Sequence, residues 1–219
     1  MNGGPDADPY GDGGPHHGGQ DDEGHSAVYR AGTPSAPPSG PRLRWQALLS
    51  GIVLRPHRTF WQMRDYQVWA PALLVTFAYG LLAVFGFDSA RQDVLDSSTS
   101  SSIPWVLITA VVVTASGLVM GAVTHTLARQ FGGDGSWAPT IGLAMLITSL
   151  TDAPRLVFAV FLGGANGFVE VLGWLTWLAC AALLTSMVSR SHDLPWPKAL
   201  GASAVQLIAL LVLFKLPTL

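Results

Sequence analysis

The chain has 219 residues, of which only 12% are charged, and its formal net charge is −2. Soluble globular domains carry about 25% charged residues, whereas the 153 residues from 67 to 219 hold only 13 charged side chains. This composition excludes an ordinary soluble domain for that part and favours the lipid bilayer as its surroundings. A nucleic-acid-binding protein is also excluded, because such proteins need a clustered basic surface. The single cysteine, Cys180, excludes an intramolecular disulfide.

Residues 1–41 are rich in glycine and proline and almost free of aliphatic side chains. They bury too little apolar surface to offset the entropy of ordering, so we predict a disordered tail. The tail is acidic, with six carboxylates against one base, Arg30. Its three histidines have no regular ligand spacing, so no metal site is predicted there.

Residues 42–66 form a basic juxtamembrane segment. Within it, apolar side chains recur at helical spacing from residue 45 to 53, and Pro56 is expected to end this helix. A second short helix is expected from Thr59 to about Tyr66. We predict that the first helix lies in the membrane surface, with its apolar face in the acyl boundary and its arginines toward anionic headgroups. The predicted contact residues are Arg42, Arg44, Trp45, Arg55 and Arg58. Either the segment only anchors the first span, or it also docks a partner protein.

Long apolar runs predict an all-α membrane protein with five transmembrane helices in residues 67–219. A proline stands just inside the start of four runs, where a helix tolerates it. The third run contains Asp152 and Arg155, whose insertion cost nearly cancels the gain from its apolar residues. The predicted spans are 68–87, 103–127, 138–162, 167–187 and 199–216.

The distribution of basic residues predicts the orientation of these spans. With a cytoplasmic N-terminus, nine lysines and arginines lie on the inner side and only Arg91 and Lys215 on the outer side. This asymmetry fits the positive-inside rule. Five crossings then place the C-terminus outside.

Ionisable residues inside the membrane are costly, and they mark candidate functional sites. Asp152 and Arg155 are three residues apart, so they share one helix face. If spans three and four form a hairpin, Arg155 lies level with Trp174, with Glu170 nearer the outer surface. We expect a structural cluster in which Arg155 pairs with Asp152, stacks on Trp174 and reaches toward Glu170. An ion or proton pathway that also uses Gln206 is the alternative.

Gly117 and Gly121 form a small-xxx-small pair in the second span, which lets two helix backbones approach closely. Packing within one chain is favoured over a dimer interface, and the sequence does not fix the oligomeric state. The usual motifs of metalloproteases, serine hydrolases, phosphate-binding loops and paired-cysteine metal sites do not occur. No catalytic, cofactor-binding or metal-ligating residue is therefore predicted.

Two segments carry a resemblance to a known family. They are residues 52–60, IVLRPHRTF, and residues 131–137, FGGDGSW, which continues toward Thr140 and Pro154. Together with the span count, they resemble the Yip (Ypt-interacting) family of five-span membrane proteins, over about residues 42–216. The resemblance implies a cytosolic N-terminus and a non-enzymatic role.

The chain is most similar to the bacterial branch of that family. In the eukaryotic branch the role is to bind prenylated Rab-type GTPases, but this chain has no Tyr-Gly-Pro-type motif before the first span. Ten arginines against two lysines, with abundant glycine, alanine and proline, indicate a high-GC bacterium. We therefore expect an interaction or membrane-organising protein of the bacterial cytoplasmic membrane. The alternative is a small transporter with a polar site around Asp152 and Arg155.

Overall fold

The computed structural model describes residues 40–84, 92 and 99–215, and every regular element within them is an α-helix. The predicted tail lies outside the described residues except for Gly40 and Pro41, and so does Arg91. The helices are α1 (Trp45–Leu54), α2 (Pro56–Met63), α3 (Trp69–Ala83), α4 (Thr99–Gln130), α5 (Trp137–Leu162), α6 (Gly167–Ser191) and α7 (Trp196–Lys215).

Three of these helices, α4, α5 and α6, are long and apolar enough to cross a membrane. The all-α class is confirmed, while five crossings stay a prediction. The first predicted span, 68–87, appears as the 15-residue helix α3, about 22 Å of helix against a hydrocarbon core of about 30 Å. Its predicted end lies outside the described residues. The fifth predicted span corresponds to α7, whose shorter apolar part is Trp196–Val212.

The helix α5 lies at the centre of the bundle and packs against α3, α4 and α6. Its first three turns are buried almost without interruption, from Ala138 to Ile147. A nearly continuous apolar surface is what a helix enclosed by other helices requires. The second half of α5 is more exposed, but its polar side chains Ser149 and Asp152 bond Thr76 and Tyr79 of the neighbouring helix α3.

The short helices α1 and α2 pack against the end of the bundle where α5 begins and α6 ends. Leu48 and Ile52 of α1, together with Phe60 and Met63 of α2, are at most 1% exposed and belong to the main core. The apolar face of α1 is therefore covered partly by protein, and not only by the acyl boundary as expected. Two helices fit closely there, because a Cβ on Gly51 would overlap the Thr59 side chain.

The second short helix begins at Pro56, three residues earlier than expected, and ends at Met63. Proline fits the first turn of a helix because its missing N–H has no partner there. Arg55 then serves both as the C-cap of α1 and as the N-cap of α2. The two helices are thereby joined through a single residue, whose backbone is not helical (φ −142°, ψ 55°).

Candidate functional site

An ion pair lies in the second half of α5. Arg155 donates from Nε to one oxygen of Asp152 and from Nη2 to the other, both at 2.7 Å. The hydroxyl of Tyr79 in α3 donates to Asp152 Oδ2 at 2.8 Å. Three hydrogen bonds to one carboxylate offset the desolvation that burial imposes on the charge. Arg155 itself is only 8% exposed.

A cavity of about 40 Å³ adjoins this ion pair, between α5, α6 and α7. Asp152 and Arg155 form part of its wall, and Glu170 lies nearer the α5–α6 turn. Side chains of three threonines, Thr148, Thr151 and Thr176, also line it. Apolar side chains, among them Val169 and Leu210, complete the wall, so the cavity combines one ion pair with a largely apolar lining.

Trp174 and Trp177 occupy different positions relative to this cavity. Trp174 is 43% exposed and contacts Trp177 edge to face, with 6.2 Å between the ring centroids. Trp177 lines the cavity, and its indole N–H donates to the carbonyl of Leu207 at 3.1 Å. The structure therefore brings Asp152, Arg155 and Glu170 to one pocket and adds Trp177 to its wall.

Further hydrogen bonds between side chains join α5 to the neighbouring helices. Gln206 of α7 accepts a hydrogen bond from Thr124 of α4 at 2.7 Å and donates one to Thr148 of α5 at 3.1 Å. Ser149 donates to Thr76 at 3.1 Å, one turn before the Asp152–Tyr79 contact. These bonds tie α3, α4 and α7 to α5, as polar side chains commonly do between membrane helices.

A buried histidine connects the glycine-rich turn before α5 to the end of α6. His192 is 1% exposed, and its Nδ1 accepts a hydrogen bond from the Gly135 N–H at 3.2 Å. Thr140 gives its hydroxyl hydrogen to Ser136, so His192 donates from Nε2 to Thr140 Oγ1 at 3.0 Å. Both ring nitrogens are used, which requires the neutral ring. Burial first, and the nearby His125 next, lower the pKa of His192 to about 4.

The exposed side of the basic juxtamembrane segment combines arginines with large apolar side chains. Arg44, Arg55 and Arg58 are exposed, and their guanidinium groups form no hydrogen bond or ion pair with another described residue. Trp45 and Trp61 are about half exposed on the same two helices. Other basic residues at this end are held by protein groups: Arg42 donates to Gln67 O, Arg64 to Asp193, Arg129 to Gly133 O and Lys198 to Phe131 O.

Gly117 and Gly121 both face α5. A Cβ on Gly121 would lie 3.0 Å from Ile141 Cγ2 and 3.1 Å from Ile141 Cα. At Gly117 the nearest atom would be Met145 Cγ, at 3.4 Å. The structure thus places this pair at a contact between two helices of one chain.

Three helices long and apolar enough to cross a membrane, one of which carries a hydrogen-bonded ion pair, are typical of a multi-helix membrane protein. A family model, the Yip1 domain, matches residues 50–216. The chain therefore belongs to the Yip1 domain family, as the two resembling segments predict. No curated protein and no solved structure matches it significantly.

Two important residues of the site were missed by sequence reasoning. Tyr79 lies in an uncharged apolar run, and its contact with Asp152 spans 73 residues of sequence. A tyrosine within a predicted membrane helix indicates a polar contact with another helix, since a buried hydroxyl needs a hydrogen-bond partner. His192 follows the fourth span, and only the fold brings it to Gly135.

Proposed function

We propose that this chain is a non-enzymatic membrane-organising protein of the bacterial cytoplasmic membrane. In this proposal the chain crosses the bilayer five times, with its N-terminus in the cytoplasm and its C-terminus outside. The basic juxtamembrane segment binds anionic phospholipid headgroups at the cytoplasmic surface. Family membership and three long apolar helices support the membrane setting, and the charge asymmetry supports the orientation.

The observation that carries the proposal is the two-sided character of α1 and α2. One side is fixed to the core through Leu48, Ile52 and Phe60, while Arg44, Arg55 and Arg58 extend from the other. Arginine beside tryptophan at a helix surface is typical of contact with a negatively charged lipid leaflet. Because the protein core holds these helices in place, little ordering entropy opposes binding.

The test uses the full chain in a mild detergent, with native mass spectrometry to count retained phosphatidylglycerol and phosphatidylcholine. We expect the wild type to retain phosphatidylglycerol preferentially, and the triple variant Arg44→Gln, Arg55→Gln, Arg58→Gln to lose most of that preference. The matched control replaces Arg129, Arg190 and Lys198 by Gln, which removes the same charge from basic residues outside the juxtamembrane segment. If both triple variants lose the phosphatidylglycerol preference equally, the preference reflects total charge, and a specific lipid-binding surface on α1 and α2 is refuted.

Two further experiments separate the parts of the proposal. A reporter fused after Leu219 tests the orientation, and activity in the cytoplasm contradicts an odd number of crossings. Pull-down of one specific protein through residues 42–66, without any lipid preference, would replace the lipid surface by a protein-docking surface. Neither result depends on the cavity.

A further inference from the structure

We propose that one flank of α1, formed by Trp45, Leu49 and Val53 and called here the α1 stripe, contacts the acyl chains of a lipid leaflet. This inference rests on the proposed function for the membrane setting, but it concerns contact with acyl chains and not with anionic headgroups. Its basis is the distribution of exposure around α1, the charge at both ends of the helix and the tryptophans of neighbouring helices.

The side chains of α1 divide into three sectors around the helix axis. Leu48 and Ile52 are buried in the main core. Gln46 and Ser50 are exposed, and they lie roughly opposite the buried pair because an α-helix turns by about 100° per residue. The α1 stripe follows the i, i+4, i+8 spacing, so it occupies one flank between the core sector and the polar sector. The protein core thereby fixes which flank of α1 is presented to the surroundings.

The α1 stripe is apolar, and the protein leaves much of it uncovered. Trp45 and Val53 are each more than half exposed, whereas Leu49 is half-buried and packs against the main core. Leu54, the last residue of α1, is 76% exposed and extends the apolar surface at that end of the helix. Adjoining exposed apolar side chains of this size mark a contact surface, because their removal from water is favourable. Acyl chains cover such a surface without requiring any hydrogen-bond partner from it.

Basic residues at both ends of α1 favour a lipid leaflet over a second copy of the chain. Arg44 is the N-cap and Arg55 the C-cap of α1, and both side chains are exposed. No acidic residue occurs between residues 42 and 64. A symmetric dimer through the α1 stripe would bring the arginines of both copies together without a compensating carboxylate from this segment. In a leaflet the same arginines reach the phosphates while the apolar flank meets the acyl boundary.

Tryptophans of other helices lie at the same end of the bundle. Four of the described helices, α1, α3, α5 and α7, begin with a tryptophan, namely Trp45, Trp69, Trp137 and Trp196. Trp137 and Trp196 are more than half exposed, and the ring of Trp137 lies 5.6 Å from that of Trp69 between centroids. Tryptophan is enriched where a membrane meets water. The start of α1 is therefore held at the end of the bundle where three other helices carry interfacial side chains.

The experiment places a nitroxide spin label at single positions of the full chain in phosphatidylcholine nanodiscs. The buried native cysteine is removed by Cys180→Ala, so that each label reports one position. Val53→Cys and Trp45→Cys place the label on the α1 stripe, and the matched controls Ser50→Cys and Gln46→Cys place it on the polar sector of the same helix. Relaxation by oxygen, which concentrates in lipid, is compared with relaxation by a water-soluble nickel chelate. We expect the ratio of oxygen to nickel accessibility to be severalfold higher on the stripe.

Two results would overturn the proposal. Equal ratios at Val53 and Ser50 would show that the two sectors share one environment. Low accessibility to both reagents at Val53 would show that protein covers the α1 stripe, and a second copy or another chain would then replace the lipid. The Tm of each labelled variant verifies its fold, and the comparison of Val53 with Ser50 suffices where Trp45→Cys unfolds.

The same nanodiscs separate this inference from the proposed headgroup binding. Phosphatidylcholine carries no net charge, so a high accessibility ratio at Val53 in these nanodiscs reports acyl contact without any anionic headgroup. The ratio should also persist when Arg44, Arg55 and Arg58 are replaced by Gln, although the preference for phosphatidylglycerol is expected to be lost. A ratio at Val53 that falls to that of Ser50 in this variant would show that the arginines alone hold α1 at the membrane, and it would refute the acyl contact.

Discussion

Tyr79 Oη lies 2.8 Å from Asp152 Oδ2 and donates a hydrogen bond to it across the contact between α3 and α5. The same carboxylate oxygen accepts a second hydrogen bond, from Arg155 Nη2. The contact gives α3 a polar attachment to the centre of the bundle. It also fixes the carboxylate that forms part of the cavity wall.

Replacing Tyr79 by phenylalanine tests the value of this bond. The ring remains, but the buried carboxylate loses one of its donors, so we expect a loss of about 1–3 kcal/mol in the free energy of unfolding. Tyr66→Phe is the control, because its hydroxyl bonds the carbonyl of Gly40 near the chain surface. Denaturant titration in detergent measures both, and a loss no greater than that of the control would contradict the proposed importance of the bond.

Removing the guanidinium should be more damaging than removing the phenol. In Arg155→Leu the carboxylate of Asp152, whose side chain is 16% exposed, loses its ion-pair partner, and such a loss costs about 3–5 kcal/mol in a buried pair. We expect a lower yield of folded protein and a lower Tm. The double variant Asp152→Asn, Arg155→Leu should recover part of the loss, because no buried charge is left. Unchanged detergent melting of Arg155→Leu would show that the ion pair does not stabilise the fold.

The local pairing of this site could be predicted from the sequence, but its long-range contacts could not. Asp152 and Arg155 are three residues apart on one helix, so helical geometry alone brings them together. The contact of Tyr79 depends on the rotation of α3 against α5, which periodicity does not specify. The cavity is a gap between three helices, and only their packing defines its shape.

The bounds of the helices were easier to predict than whether a given helix face contacts lipid or protein. Apolar runs and prolines predicted residues 138–162 and 167–187, and the structure has α5 at Trp137–Leu162 and α6 at Gly167–Ser191. For α1 the same hydrophobicity pattern suits burial in lipid or in protein. Leu48 and Ile52 are buried in the protein core, and no property of a single helix distinguishes these two environments.

The close approach of α4 to α5 predicts different effects at two neighbouring glycines. Gly121→Ala should destabilise the protein by about 1–3 kcal/mol, because the new methyl group meets the backbone of Ile141 and overpacks the contact. Gly117→Ala should be neutral or slightly stabilising, since the flexible Met145 side chain is its nearest neighbour and alanine favours the helix. Unfolding of both variants in detergent measures the difference, and equal effects would contradict a close contact centred on Gly121.

The stability of the protein should fall on acidification because of His192. Its pKa is lowered to about 4 in the folded chain by burial first and by His125 next, against a usual value of 6.5. The smaller contributions to this value come from Asp134, which raises the pKa, and from Arg129 and Arg64, which lower it. The unfolded chain therefore binds a proton that the folded chain excludes. The stabilisation is fully present above pH 6.5 and is lost progressively as the pH falls toward 4.

The expected slope is about 1.4 kcal/mol per pH unit within this window, and the total loss is about 3 kcal/mol. A proton on Nδ1 would also remove the hydrogen bond from Gly135, so the turn before α5 should loosen together with the loss of stability. His192→Asn keeps an acceptor near the Nδ1 position but does not titrate, and it should flatten the profile between pH 5 and 6.5. The exposed His57, replaced by Asn, is the control and should leave the profile unchanged. Denaturant unfolding of the three proteins at several pH values makes the comparison, and an equally steep profile in His192→Asn would assign the acid sensitivity to other groups.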